Sequence, residues 1–357
     1  WTHIPLTHLQ NNKFQANAFL EAIGKLIFGQ DAAIHLMTSL LQNAYIKLQE
    51  KQGPLCSFLF VGPSSVGKTE TAYAIAEHLF GHKNALLHVN LGKTRYASLA
   101  DIKITFRTTE NHSTSLLTAI QKIPYAVILL EHVDQIPSET FDLFDPIFTQ
   151  GHFIDEHGTV YNFRHAIIIM TTRFSAEHIT RLSTAQVKQD TTKPVDLMQL
   201  VLNEHLLDSS SHMPSQLSAQ ELCEELAPHL ASRFSSHFLQ HVNIIPFIPL
   251  EYAALEKIIR LQIKKLAKRL DNHFGIELNF APEVIKFLAH EALWHCAETR
   301  PLDKLLEQHL YSCVAREILL IAEDRNRPKR LLIRLNDNGQ LLRCEFSQAS
   351  GPMMYNL

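Results

Sequence analysis

The sequence has no charge excess: Lys+Arg 33 against Asp+Glu 36 leaves a formal net charge of −3 over 357 residues. That balance, with no basic patch, argues against nucleic acid or an anionic membrane surface as a partner. No stretch approaches the ~18 apolar residues a membrane helix needs, and no signal peptide is visible. Cysteine is sparse. The five residues Cys56, Cys223, Cys296, Cys313 and Cys344 are odd in number, scattered and without CxxC spacing. This speaks against a disulfide framework or a zinc site, and predicts reduced, mostly buried thiols in a cytoplasmic protein. Internal repeats and low-complexity tracts are also missing. The first residue is Trp1 rather than a methionine, which predicts a fragment of something longer.

What is present begins with histidine, at 21 residues so common that no single one marks a site. His152, His157 and His165 gather around a predicted hairpin, but without metal-ligand spacing, and read as solvated or structural.

Residues 1–24 form a polar, helix-tolerant lead-in. From Lys25 to about Phe247 short apolar runs alternate with helical patterns: SFLFVG (57–62), ALLHVN (85–90), AVILLE (126–131), AIIIMTT (166–172) and VNIIPF (242–247). Short runs rich in Val, Ile and Leu, separated by helices, predict a parallel sheet buried on both faces. Residues 25–248 are therefore assigned to one large domain, with 175–218 as a loop-rich insertion around KQDTTKP and DSSSHMPSQ. Residues 249–357 make a smaller α+β domain. Its first helix carries Leu255, Ile259, Ile263, Leu266 and Leu270 on one stripe, and Lys264, Lys265, Lys268 and Arg269 on a solvated face.

The chemistry starts at GPSSVGKT, Gly62 to Thr69, which fits G-x-x-x-x-G-K-[ST] in full. It follows an apolar strand and opens the helix TETAYAIAEHLF, the context the motif requires. Gly62 and Gly67 permit the tight turn through Pro63, Ser64, Ser65 and Val66 that aims backbone N–H groups at phosphate oxygens. The helix start, with Glu70 in its first turn, adds partial positive charge. Lys68 can reach the β/γ-phosphates, and the Thr69 hydroxyl can ligate Mg²⁺. ATP or ADP with Mg²⁺ is the expected ligand.

Several further segments together resemble the second ATPase module of the Clp AAA+ unfoldases, the class that includes ClpB and the type VI secretion ATPase ClpV. These are WTHIP (1–5), FGQDAAI (28–34), FTQGHFIDEHGTVYNFRHAIIIMTT (148–172), IIPFIPLEYAALEKIIRLQIKKLAKRL (244–270) and ETRPLDKLLEQ (298–308). The stretch 244–270 resembles ClpV more than ClpB. The resemblance implies an α/β fold, an AAA+ P-loop doubly wound parallel sheet with a smaller C-terminal α+β domain. It also implies hexameric rings of identical chains, a protein substrate, and for ClpV type VI sheath components. Gly29 and Gln30 match the Gly-Gln entry motif that lies against adenine, and Arg300 the sensor 2 arginine.

The same resemblance exposes departures. The acidic strand reads AVILLEHVD. Glu131 stands in the Mg²⁺-side Asp position, one methylene longer, and His132 in the catalytic Glu position. Arg173 replaces the usual sensor 1 Asn. His241 stands at the intersubunit arginine-finger position, with Arg233 nearby but out of register. Residues 98–115, SLADIKITFRTTENHSTS, lack a glycine-flanked pore aromatic, and Phe106 is the single aromatic there. Removing one transition-state contact commonly costs about a hundredfold in rate. Two expectations follow: a degenerate domain that binds nucleotide and supports ring assembly, or an active unfoldase in which Glu131 and His132 still work as a pair.

Overall fold

A computed structural model describes residues 14–46, 52–81, 85–93, 103–106, 109–136, 141, 144–189, 218–297, 302–321, 330–336 and 341–347. The chain divides into two units, Trp1–Pro249 and Leu250–Leu357.

The first unit is built on strands β1 (Cys56–Val61), β2 (Leu86–Asn90), β3 (Lys103–Phe106), β4 (Thr109–Ser115), β5 (Val127–Glu131), β8 (Ile167–Thr172) and β9 (Asn243–Pro246). They form one sheet in the order β4-β3-β2-β5-β8-β1-β9, and a separate hairpin pairs β6 (His152–Ile154) with β7 (Val160–Asn162). The five strands β2, β5, β8, β1 and β9 run parallel. These are the five apolar runs of the sequence. β1 and β8 are buried at every position, as expected of strands covered on both faces. Phe58, Leu59, Phe60 and Val61 are all fully buried. The antiparallel pair β3–β4 was not anticipated. Its residues KITF and TENHSTS are mostly polar and pair locally, so no long apolar run announces them.

Among the described residues this unit also has helices α1 (Ala16–Gly24), α2 (Asp31–Tyr45), α3 (Lys68–Phe80), α4 (Leu116–Lys122), α5 (Asp145–Gln150), α6 (Ala176–Gln189), α7 (Ala219–Ala231) and α8 (Ser236–Gln240). The lead-in thus ends in a helix, α1, whose Phe19 and Ile23 are fully buried. Part of the expected loop-rich insertion is helical as well, over α6, while 190–217 lie outside the described residues. α7 begins at a capping box. The Ser218 hydroxyl accepts from Glu221 N at 3.2 Å, and the Glu221 carboxylate accepts from Ser218 N at 2.7 Å. Such a pair satisfies two of the N–H groups a helix start leaves without partners.

α3 follows β1 directly. It starts after Gly67 at φ 102° and stops at Gly81 at φ 77°, with Thr71, Ala72, Tyr73, Ala74, Ile75 and Ala76 buried between. Small alanines let its backbone lie close on the sheet. The next strand in the chain, β2, lies beyond β8 and β5, while β9 flanks β1 on the other side. The strand order therefore reverses at β1, and the crevice at the carboxyl ends of β1, β5 and β8 is where open α/β sheets bind ligands.

The second unit has helices α9 (Tyr252–Phe274), α10 (Pro282–Ala297), α11 (Leu302–Leu306) and α12 (Ser312–Ile321), the last two joined by a π turn at Glu307–Tyr311. Its sheet is β10 (Glu277–Phe280), β11 (Arg330–Leu335) and β12 (Leu342–Ser347), with β10 parallel and β12 antiparallel to the central β11. The predicted stripe is the buried one. Leu255, Ile259, Ile263 and Leu270 pack with Ile285, Leu288, Leu306, Leu310, Leu331 and Ile333, and Leu266 is partly buried against them.

Candidate functional site

The site is assembled at the carboxyl end of the parallel strands. Gly62 lies so near β9's exit that a Cβ there would fall 2.3 Å from the Phe247 carbonyl oxygen. Two backbone bonds hold this approach: Phe247 N donates to Val61 O at 2.8 Å, and Gly62 N to Thr172 O at 3.3 Å. The loop then turns through Ser65 at φ 61° and Gly67 at φ 102°, left-handed values that glycine adopts without cost.

Lys68 folds back into this loop. Its Nζ donates to the Gly62 carbonyl at 2.7 Å and to the Pro63 carbonyl. Burial and the neighbouring Arg173 charge push its pKa down to about 8, with Asp134 and Glu131 acting the other way. A buried ammonium resting on neutral carbonyls is set up for anionic oxygens.

Thr69 donates from Oγ1 to Glu131 Oε1 at 2.5 Å. The second oxygen, Oε2, lies 2.9 Å from His88 Nε2. Of the groups around Glu131, His88 does most to favour the charged carboxylate. Burial works against the Glu131 charge, but His88, Thr69 and the nearby His132 outweigh it and hold its pKa below the usual carboxylate value. Glu131 is therefore a charged, half-buried carboxylate beside the Thr69 hydroxyl. Among the described residues no group of three or more His, Cys, Asp and Glu is placed as a metal cage. Thr69 and Glu131 instead suit Mg²⁺, which is commonly held by one or two protein groups, waters and phosphate oxygens.

The neighbouring expected residues have different fates. His132 is left-handed, at φ 61° and ψ 43°. Its Cβ lies so close to Gly92 that a Cβ on the glycine would approach it to 3.2 Å. Arg173 is exposed at the end of β8, its N–H donating to Asp134 Oδ1 at 3.4 Å. Gln30 is nearly fully buried. Its amide donates to Ile248 O at 2.8 Å and Val66 O at 3.3 Å, and accepts from Ile248 N at 3.1 Å. It thus ties the P-loop to the chain leaving β9. Gly29 precedes it at φ 71°.

Arg233, the out-of-register cation near the finger position, is committed within its own chain. It donates to Asp134 O at 3.1 and 2.7 Å and to Ile136 O at 2.7 Å. His241 caps the end of α8 and packs against the His237 ring at 5.0 Å. Of the hairpin histidines, His165 stacks on Tyr125 at 4.7 Å and His152 Nδ1 meets Gln150 O at 3.2 Å. Arg300 lies outside the described residues, as do 98–102, and Phe106 is described in its backbone alone. His88 and the Arg233 clamp escaped the sequence reading because neither belongs to a motif and both contacts span distant segments.

Comparison with known proteins places this geometry in a family. Residues 53–237 match the AAA domain (Cdc48 subfamily), and residues 250–326 match the C-terminal, D2-small domain, of ClpB protein. The chain belongs to the AAA family. Within it, the chain is similar to Clp-type, ClpB-like proteins, with the match to their D2-small domain confined to residues 250–326. Similar proteins include Chaperone protein ClpB of Aquifex aeolicus (28% identical, covering 89% of this chain and 30% of that protein). Another is Chaperone protein ClpB4, mitochondrial, of Arabidopsis thaliana (24% identical, 89% and 31%). A third is Chaperone protein ClpB of Bacteroides thetaiotaomicron (23% identical, 96% and 37%). The chain spans about a third of the length of these relatives. No helix among the described residues is long and apolar enough to cross a membrane.

Proposed function

We propose that this domain binds ATP or ADP with Mg²⁺, uses the nucleotide chiefly to stabilise a ring of identical chains, and hydrolyses it weakly or not at all. The observation that carries the reading is the contrast within a few residues. The cradle from Gly62 to Thr69 has the turn, the buried Lys68 and the Thr69–Glu131 pair that phosphate and Mg²⁺ need. His132, at the position of the water-activating acid, sits in a left-handed turn against Gly92.

Each residue has a role in this reading. Backbone N–H groups of the loop and Lys68 would bind the phosphates, and Thr69 and Glu131 would hold the metal side. Gln30 keeps the loop in register with Ile248. Bound Mg²⁺ would supply charge neutralisation at the β- and γ-phosphates. Hydrolysis also needs a group that orients water and a cation for developing charge. His132, Arg173 and His241 are poor replacements for a carboxylate, an amide and a planar guanidinium respectively. Ligand binding stabilises the folded state by mass action, so slow turnover suits a scaffold.

The finer assignment is to a ClpV-like protein of type VI secretion, resting on the stretch 244–270, with sheath components as protein partners. The relatives named above carry the name chaperone protein ClpB. A second reading, an active ATP-driven unfoldase or disaggregase domain, is favoured by one observation: Glu131 remains charged and in contact with Thr69.

Equilibrium binding of a fluorescent ATP analogue to the purified chain tests the first half of the proposal. Micromolar or tighter binding that Lys68→Ala abolishes is expected, and no binding would contradict it.

A further inference from the structure

β2 and β5 are parallel neighbours, with Asn90 beside Glu131 and His88 beside Leu129. Residues two apart on a strand share a face, so His88, Asn90 and Glu131 look the same way, toward α3. On that helix Thr69 and Tyr73 are four apart and also share a face. The result is a closed set. Thr69 holds one oxygen of Glu131 at 2.5 Å, His88 reaches the other at 2.9 Å, and the Tyr73 ring meets the His88 ring edge-on at 6.5 Å. The His88 and Glu131 side chains are 20% and 15% exposed, so solvent screens the contact only partly.

A glutamate has one more rotatable bond than an aspartate, and more freedom to lose when its carboxylate must serve a metal. We propose that His88 is a positioning residue that removes this freedom, holding Oε2 so that the longer Glu131 presents Oε1 at the Thr69 hydroxyl, the metal side of the nucleotide site. His88 and Glu131 are then a matched pair: the histidine makes up for the extra methylene. The inference rests on the nucleotide-binding reading above and deepens it.

The experiment compares binding of a fluorescent ATP analogue to the full 357-residue chain with Mg²⁺ and with EDTA. The proteins are wild type, His88→Ala, His88→Gln, Glu131→Asp and the double variant Glu131→Asp/His88→Ala. Partners that orient a metal ligand typically contribute about 10–100-fold in metal affinity. His88→Ala is expected to cut the Mg²⁺-dependent gain in affinity by about tenfold and leave binding in EDTA unchanged. His88→Gln, which keeps an N–H donor, recovers most of that gain and carries the test if the alanine variant fails to fold. In the Glu131→Asp background the shorter carboxylate no longer needs His88, so the alanine change has no further effect. An equal loss with and without Mg²⁺, no loss, or the same loss in the aspartate background overturns the pairing. Wild type that binds no nucleotide overturns the nucleotide reading and the pairing together. Wild type whose Mg²⁺-dependent gain is indifferent to His88 overturns the pairing alone.

Discussion

Gly62 has no room for a side chain, because a Cβ there would meet the Phe247 carbonyl oxygen at 2.3 Å. Gly62→Ala must push β1 and β9 apart. A loss of about 1–3 kcal/mol, of the size overpacking causes, is expected in thermal unfolding, together with lost nucleotide affinity. A variant as stable as wild type would contradict the close approach. Lys68 gives a pH signature. Its folded pKa of about 8 lies below the ordinary lysine value of 10.5. Between those limits the unfolded chain holds more protons than the folded one, so this group makes stability rise with pH across that window. Nucleotide affinity should move the other way, falling as pH rises through about 8 and the ammonium is lost. Subtracting the pH profile of Lys68→Met from that of wild type should isolate the stability rise, and identical profiles would remove Lys68 from the account. The glycines and the lysine were legible in the sequence because their spacing is dictated by phosphate geometry. His88 was not, since its partner Glu131 lies on a different strand and a lone histidine among 21 carries no signal.

Two clamps hold the site at the level of elements. Gln30, at the start of α2, bonds Val66 in the P-loop and both polar backbone groups of Ile248. Gln30→Leu leaves those groups without this partner in a buried setting, and a cost of about 1–3 kcal/mol is expected in urea unfolding. Binding should also weaken, because Gln30 holds Val66 of the P-loop in place. A neutral outcome in both measurements would mean that water replaces the amide. Arg233, from the turn before α8, holds the loop beyond β5 through the Asp134 and Ile136 carbonyls. Its guanidinium is thereby engaged within its own chain. Elements were legible where burial on two faces or one stripe writes a periodic pattern, as in β1, β8 and α9. They were illegible where short, mostly polar strands carry no long apolar run, as in β3 and β4.

The whole molecule has two units with separate cores, and the second rests on the α9 stripe. Truncating the fully buried Ile259 to alanine should cost about 2–5 kcal/mol. If nucleotide is a ring-stabilising ligand, light scattering should show a larger assembly with ATP than without, and Lys68→Ala should abolish the difference. Assembly indifferent to nucleotide would contradict the scaffold role. Ring formation is not legible from composition; it comes from the resemblance to Clp ATPases and is a proposal for this chain. The departures that the proposed reading assigns to His132, Arg173 and His241 are legible one by one as residues, and in that reading their joint effect depends on geometry such as the left-handed turn at His132.

Steady-state ATP hydrolysis, measured at saturating nucleotide on wild type and on Glu131→Asp/His132→Glu, tests the central claim most directly. The account predicts tight binding by both proteins, with turnover near background in wild type and raised in the double variant. Robust wild-type turnover, undiminished relative to the double variant, would contradict it and make this domain a working motor.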